Sequence, residues 1–306
     1  MLCLILLLVA PIWIKSTINK AGADQKGYSF RVNDVDMNLG QGKIKIKDIV
    51  VFNPSTSVKI AELPFLTVNF SLVDVLRRDK IVTLSSEELN ITISKDLMDE
   101  IHKIKEDAES NVKEALYLKE ASMKLDRMNV REIKEENTRT ILTLTNVQLN
   151  VKDIGTGSIN ENTEFNLKSS IAEGGNIKLM GKTKLEADGT PWAINGVLSG
   201  IPAKVIEKLA GDKLPLDIVD ANINTKITAQ SSQGILEGVL TPEIKEFKLS
   251  EEKNNGVLKR NVAKAINSIF KTKPGEEDFQ ISIPFTLKEN FSLNFSETLE
   301  KIRKQK

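Results

Sequence analysis

Alternation of apolar and polar residues dominates the chain from Gly27 onward, and its clearest stretch is residues 40–54. There Ile44 and Ile46 alternate with Lys43, Lys45 and Lys47, the period of a strand with one apolar and one hydrated face. After Asp48 the phase slips by one residue, and Ile49 and Val51 carry the apolar face onward. One extra residue that resets the alternation predicts a β-bulge. Gly40 and Gly42 open the stretch, and Asn53-Pro54 closes it as a turn. The spacing apolar-x-apolar-x-x-apolar-x-apolar recurs at Met123, Leu125, Met128 and Val130, and again at Leu142, Leu144, Val147 and Leu149. Chance in a strand-rich chain and a true structural repeat both account for three copies.

Further strands are predicted around Tyr28, Phe30 and Val32, around Val35, Met37 and Leu39, around Val58 and Ile60, and around Leu66, Val68 and Phe70. Others follow at Ile81 and Leu84 and at Leu89, Ile91 and Ile93, with Pro64, Arg77-Arg78-Asp79 and Ser85-Ser86 read as turns. Such short intervals predict antiparallel neighbours. Helical spacing replaces the alternation over about 96–115, where Leu97, Ile101, Ile104, Ala108 and Val112 share one face. Strands resume over 118–125, 130–133 and 141–151. A boundary between two halves is expected at Ile154-Gly155-Thr156-Gly157-Ser158. Beyond it the pattern predicts a hairpin turning at Glu173-Gly174-Gly175-Asn176, a strand around Ile194, and a short helix over about 201–210 with Pro202 in its first turn. Strands over 218–227 and 235–249 and a helix over about 256–271 come next. A closing hairpin, with Phe279, Ile281, Ile283 and Phe285 on one arm and Phe291, Leu293 and Phe295 on the other, completes the pattern.

Composition narrows the function more by exclusion than by signature. Of 306 residues, 40% are apolar and 28% charged, enough to bury a core. Basic and acidic residues balance at 43 and 42, which argues against a nucleic-acid partner. With Cys3 the only cysteine and His102 the only histidine, a zinc or iron site of the usual ligands is not expected, and no cofactor is implied. Glu135-Glu136 and Glu251-Glu252 fall in polar loops and no Gly-x-Ser-x-Gly occurs, so no residue is assigned a catalytic role.

Residues 1–14 carry no charge. As a helix they span roughly 21 Å, against a hydrocarbon core of ~30 Å. Signal peptide, membrane anchor and buried element are the three readings. Leu4, Ile5, Leu6, Leu7 and Leu8, with Trp13 and Lys15 at the interfacial end, favour an uncleaved anchor. Residues 1–24 then form the anchor and juxtamembrane segment, 25–154 an N-terminal β region, and 155–306 a C-terminal β-rich region.

The block from Gly27-Tyr28 through Gly42-x-Ile44-x-Ile46-x-Asp48-Ile49-x-Val51-x-Asn53-Pro54 resembles the AsmA-like family of membrane-anchored bacterial envelope proteins. Leu66-x-Val68-x-Phe70-Ser71-Leu72, Val75-Leu76, Lys80-Ile81-Val82 and Asn90-Ile91-Thr92-Ile93 continue the likeness. The resemblance implies an inner-membrane anchor, a periplasmic body, and an elongated, curled antiparallel sheet whose apolar groove handles phospholipid in outer-membrane maintenance. It also implies envelope proteins as possible partners. Ile44, Ile46, Ile49, Val51, Leu66, Val68 and Phe70 are the candidate groove lining. The alternative is a closed β-sandwich that uses the same residues as core and serves as an assembly factor.

Overall fold

The computed structural model describes residues 2–23, 28–54, 56–71, 73, 81–93, 117–134, 137–155, 163–183, 192–210, 218–232, 235–249, 279–280 and 283–287. Helix α1 (Leu2–Ala23) leads into β1 (Ser29–Arg31), β2 (Asp34–Asn38), β3 (Lys43–Phe52), β4 (Lys59–Phe70) and β5 (Ile81–Ile93). Then come β6 (Tyr117–Lys134), β7 (Asn137–Gly155), β8 (Thr163–Ile171), β9 (Asn176–Thr183) and β10 (Trp192–Pro202). Helix α2 (Ala203–Ala210), β11 (Ile218–Ser232), β12 (Ile235–Leu249), β13 (Phe279–Gln280) and β14 (Ile283–Leu287) complete the described elements.

All fourteen strands belong to one sheet, which follows chain order from β3 to β12. Both β1 and β2 pair with β3 at one edge, and both β13 and β14 pair with β12 at the other. The sheet is curled but does not close on itself. A sandwich of two packed sheets is therefore not what these residues form. The expected helices over 96–115 and 256–271, the strand at Phe291 and Leu293, and His102 lie outside the described residues.

Three sequence expectations need correction. Neighbours are antiparallel as expected except β5 and β6, which run parallel from Ile81 opposite Glu120 to Ile93 opposite Glu132. Residues 94–116 give the chain the crossover length that a parallel pair requires. Second, Pro64 and Ser85-Ser86 are not turns but lie inside β4 and β5. The Ser86 hydroxyl donates to the Phe65 carbonyl, giving a small polar residue a partner within the sheet. Third, Pro202 ends β10 and does not open the helix, which starts at Ala203.

The phase slip after Asp48 takes a form that one strand alone does not reveal. Ile46 faces Leu66 and Ile49 faces Leu63, so two residues on β3 oppose two on β4 and the ladder keeps count. The same holds between β6 and β7, where Leu125 faces Val147 and Met128 faces Leu144. A β-bulge would set two residues against one. Matched slips on neighbouring strands instead make a kink that runs in register from β3 to β7. The expected bulge is found only beyond it, where Asn146 and Val147 on β7 stand against Ser169 on β8. Asp48 and Asn146 sit at it with φ of 50° and 52°, the left-handed region where Asn and Asp are the least costly side-chain-bearing residues. Pro64 is tolerated on β4 because it stands at this level, between the ladder pairs of Phe65 and Leu63. The second and third copies of the repeat thus pair with each other, Met123 with Leu149 and Val130 with Leu142.

Helix α1 is tied to the sheet's first edge. The chain leaves the ladder between β1 and β2 at Val32, which is buried. The Asn19 side chain supplies what the ladder no longer does: its Nδ2 donates to the Val32 carbonyl at 3.0 Å, and its Oδ1 accepts from the Val32 amide at 2.7 Å. Gly22 lets the helix approach Phe30, since a Cβ there would collide with the Phe30 ring and carbonyl.

Candidate functional site

One face of the sheet is apolar from edge to edge. Starting at β2, Met37 faces Ile44, which faces Val68, then Leu84, Met123 and Leu149 on successive strands. The line continues through Leu167, Leu179, Gly196, Ile227, Leu240 and Ile283. Direct cross-strand partners project to the same side of a sheet. These strands are spaced about 4.8 Å apart, so the line runs for about 50 Å. A second line beside it passes from Phe70 through Val82, Ala121, Val151 and Phe165 to Gly181 and Ile194.

All seven expected lining residues fall on β3 and β4. Ile44 and Val68 are direct partners, as are Ile46 and Leu66, while Ile49 stands opposite Leu63 and Val51 opposite Ala61. Phe70 faces Val82 on β5. Its amide donates to the Gly42 carbonyl at 2.8 Å, and Gly42, at φ 60°, has no room for a Cβ beside the Phe70 carbonyl. All seven side chains are half-buried, none fully. Sequence reasoning missed that the apolar line continues through Leu149, Leu167, Leu179 and Leu240. Their alternation was legible, but which strands share a side is a matter of register.

A cluster of fully buried residues fills the middle of this face, and Val35, opposite Ile46, is buried at its first edge. Leu125, Leu144, Val147, Ile171, Ile201 and Val205 form a cluster, with Leu89, Met128, Leu167 and Ile223 packed against it. Residues from both sides of the kink enter one cluster, so the kink keeps the apolar side chains on a single face. Val205 belongs to α2, which therefore caps the face between β7 and β11. The Lys208 ammonium holds α2 down through Glu173 Oε1 at 2.7 Å. That hydrogen bond places the Glu173 carboxyl below the usual range against the opposing effect of burial. The second oxygen, Oε2, is buried without a partner among the described residues.

The opposite face is polar. Asn129 donates to Glu88 at 2.7 Å and to Asn90 at 2.9 Å, and accepts from Thr143 at 3.1 Å. Lys47 lies between Asp36 at 2.6 Å and Asp34 at 3.1 Å. These bonds, with Asp36 foremost, raise the Lys47 pKa, and Lys47 in turn lowers that of Asp34. Lys45 stands 4.1 Å over the Phe65 ring. Two of the three lysines of the opening stretch are thus engaged on the outer side of β3.

The expected anchor residues Leu4, Ile5, Leu6, Leu7, Leu8 and Trp13 lie on α1. Ile12 and Trp13 are 70% and 67% exposed. Among the described residues no helix is long and apolar enough to cross a membrane. Among the same residues no group of His, Cys, Asp or Glu is arranged to hold a metal ion. Comparison with protein-family models and with curated proteins finds no match.

Proposed function

We propose that the protein is a non-catalytic lipid-handling protein of the bacterial envelope, and that acyl chains of phospholipid lie along the apolar face of its curled sheet. The observation that carries this reading is the half-buried apolar line running from Met37 to Leu240 on an open sheet. Alternating strands ordinarily hide such side chains in a core. Here most remain partly accessible, and hydrocarbon is the occupant that gains from covering them. No charged residue interrupts the line, so the face offers contacts to chains and none to head groups. The AsmA-like pattern of residues 27–93 supports placing the body in the periplasm, with α1 anchoring it to the inner membrane.

A photo-reactive residue placed singly at Ile46 or Val68, and at the outward controls Lys43 and Lys45, tests this in cells making the full chain. Phospholipid adducts at the two apolar positions and not at the controls are the expected result. Equal labelling, or none, would overturn it.

A further inference from the structure

The outer face of β8–β11 carries an arrangement that folding does not explain. Lys168 on β8 stands directly opposite Lys178 on β9. Lys178 stands opposite Val197 on β10, and Val197 opposite Lys226 on β11. Direct partners have Cβ atoms about 5 Å apart, where like charges oppose pairing. All three lysines are exposed, and none has an ion pair among the described residues. The neighbouring carboxylate, Glu164, already pairs with Lys182. Two apolar side chains lie among these cations, Met180 55% and Val197 43% exposed. On β3, by contrast, Lys47 is neutralised by two carboxylates.

We infer that this patch seats the protein against an anionic membrane surface. Its charge complements acidic head groups, which draw lysines near a bilayer. Flexible lysine stems let the ammonium groups stay among head groups while Met180 and Val197 meet the acyl boundary. An acidic protein would answer the charge but leaves the two exposed apolar residues without a use. The patch lies on the face opposite the apolar line, so it stands independently of the groove.

The test is flotation of the full chain with phosphatidylcholine vesicles, pure or with about one third phosphatidylglycerol. Because α1 can associate with either, the quantity read is the gain on adding the anionic lipid. Replacing Lys168, Lys178 and Lys226 by Gln should reduce that gain about fivefold per lysine, roughly a hundredfold in all. The same change at Lys43, Lys59 and Lys204, exposed lysines on β3, β4 and α2 away from this row, should leave most of it. Met180→Ser with Val197→Ser should weaken binding with every charge retained. Removing the Lys168–Lys178 repulsion should also raise the melting temperature, which separates lost binding from lost folding. No preference for anionic vesicles, or equal loss in the control triple, would overturn the inference. So would a lowered melting temperature in the patch triple, or capture of an acidic protein without vesicle binding.

Discussion

At the scale of residues, a few polar side chains perform structural tasks out of proportion to their size. Asn19 replaces two ladder hydrogen bonds for Val32, so Asn19→Ala leaves a buried amide and carbonyl without partners. A loss of about 2 kcal/mol is expected, read by urea denaturation, with faster amide exchange across β1 and β2. Asn146 holds a left-handed conformation that a β-branched residue resists, so Asn146→Val should cost about 2 kcal/mol in the same measurement. Glu173 has a clear pH signature. Its folded pKa is lowered, so the stabilisation is present above the unfolded carboxyl's value and is lost as pH falls through the folded one. Loosening of α2 should therefore begin below about pH 4.3 and follow further acidification. Lys208→Met should abolish that dependence, as exchange at Val205 would show. The partners of Glu173 were not legible in the sequence, because Lys208 lies 35 positions away.

Elements show why the apolar pattern was readable and its meaning was not. Alternation placed β3 and found strand character in β4, β5 and β6, since period two survives in any sheet, but it divided each of those three continuous strands in two. Turn residues misled in two ways: Pro64 stands at the kink, while Ser85-Ser86 pair within the regular ladder, so both lie inside strands. The kink itself was visible as a slip after Asp48, yet its matching on β4, β6 and β7 emerges only from pairing. Position within the apolar face sets the energetic cost of change. Leu144 sits in the buried cluster, and Leu144→Ala should destabilise by about 3 kcal/mol. Leu66 is half-buried, so Leu66→Ala should cost about 1 kcal/mol. Ile46→Asp should leave a folded protein for the same reason, which circular dichroism would show. A filled core would not tolerate that charge.

For the whole molecule, the deciding feature is an open sheet of fourteen described strands. Helix α2 covers only part of the apolar face, and α1 meets only the first edge. If acyl chains occupy the remainder, delipidated protein should bind an environment-sensitive hydrophobic dye more strongly than the lipid-loaded form. Added phospholipid should reverse that gain. Ile46→Asp should lower lipid recovery without lowering the yield of folded protein.

Composition and periodicity by themselves determined a β-rich chain, its apolar and polar faces along each strand, and the outward place of its lysines. These are local properties, written within a few residues. Tertiary structure alone decided the parallel pairing of β5 and β6, the register that joins separate apolar positions into one line of about 50 Å, and the absence of a second sheet over it among the described residues. Pairing and closure depend on which distant strands meet. An alternating strand has the same sequence whether its apolar face meets a core or stays open.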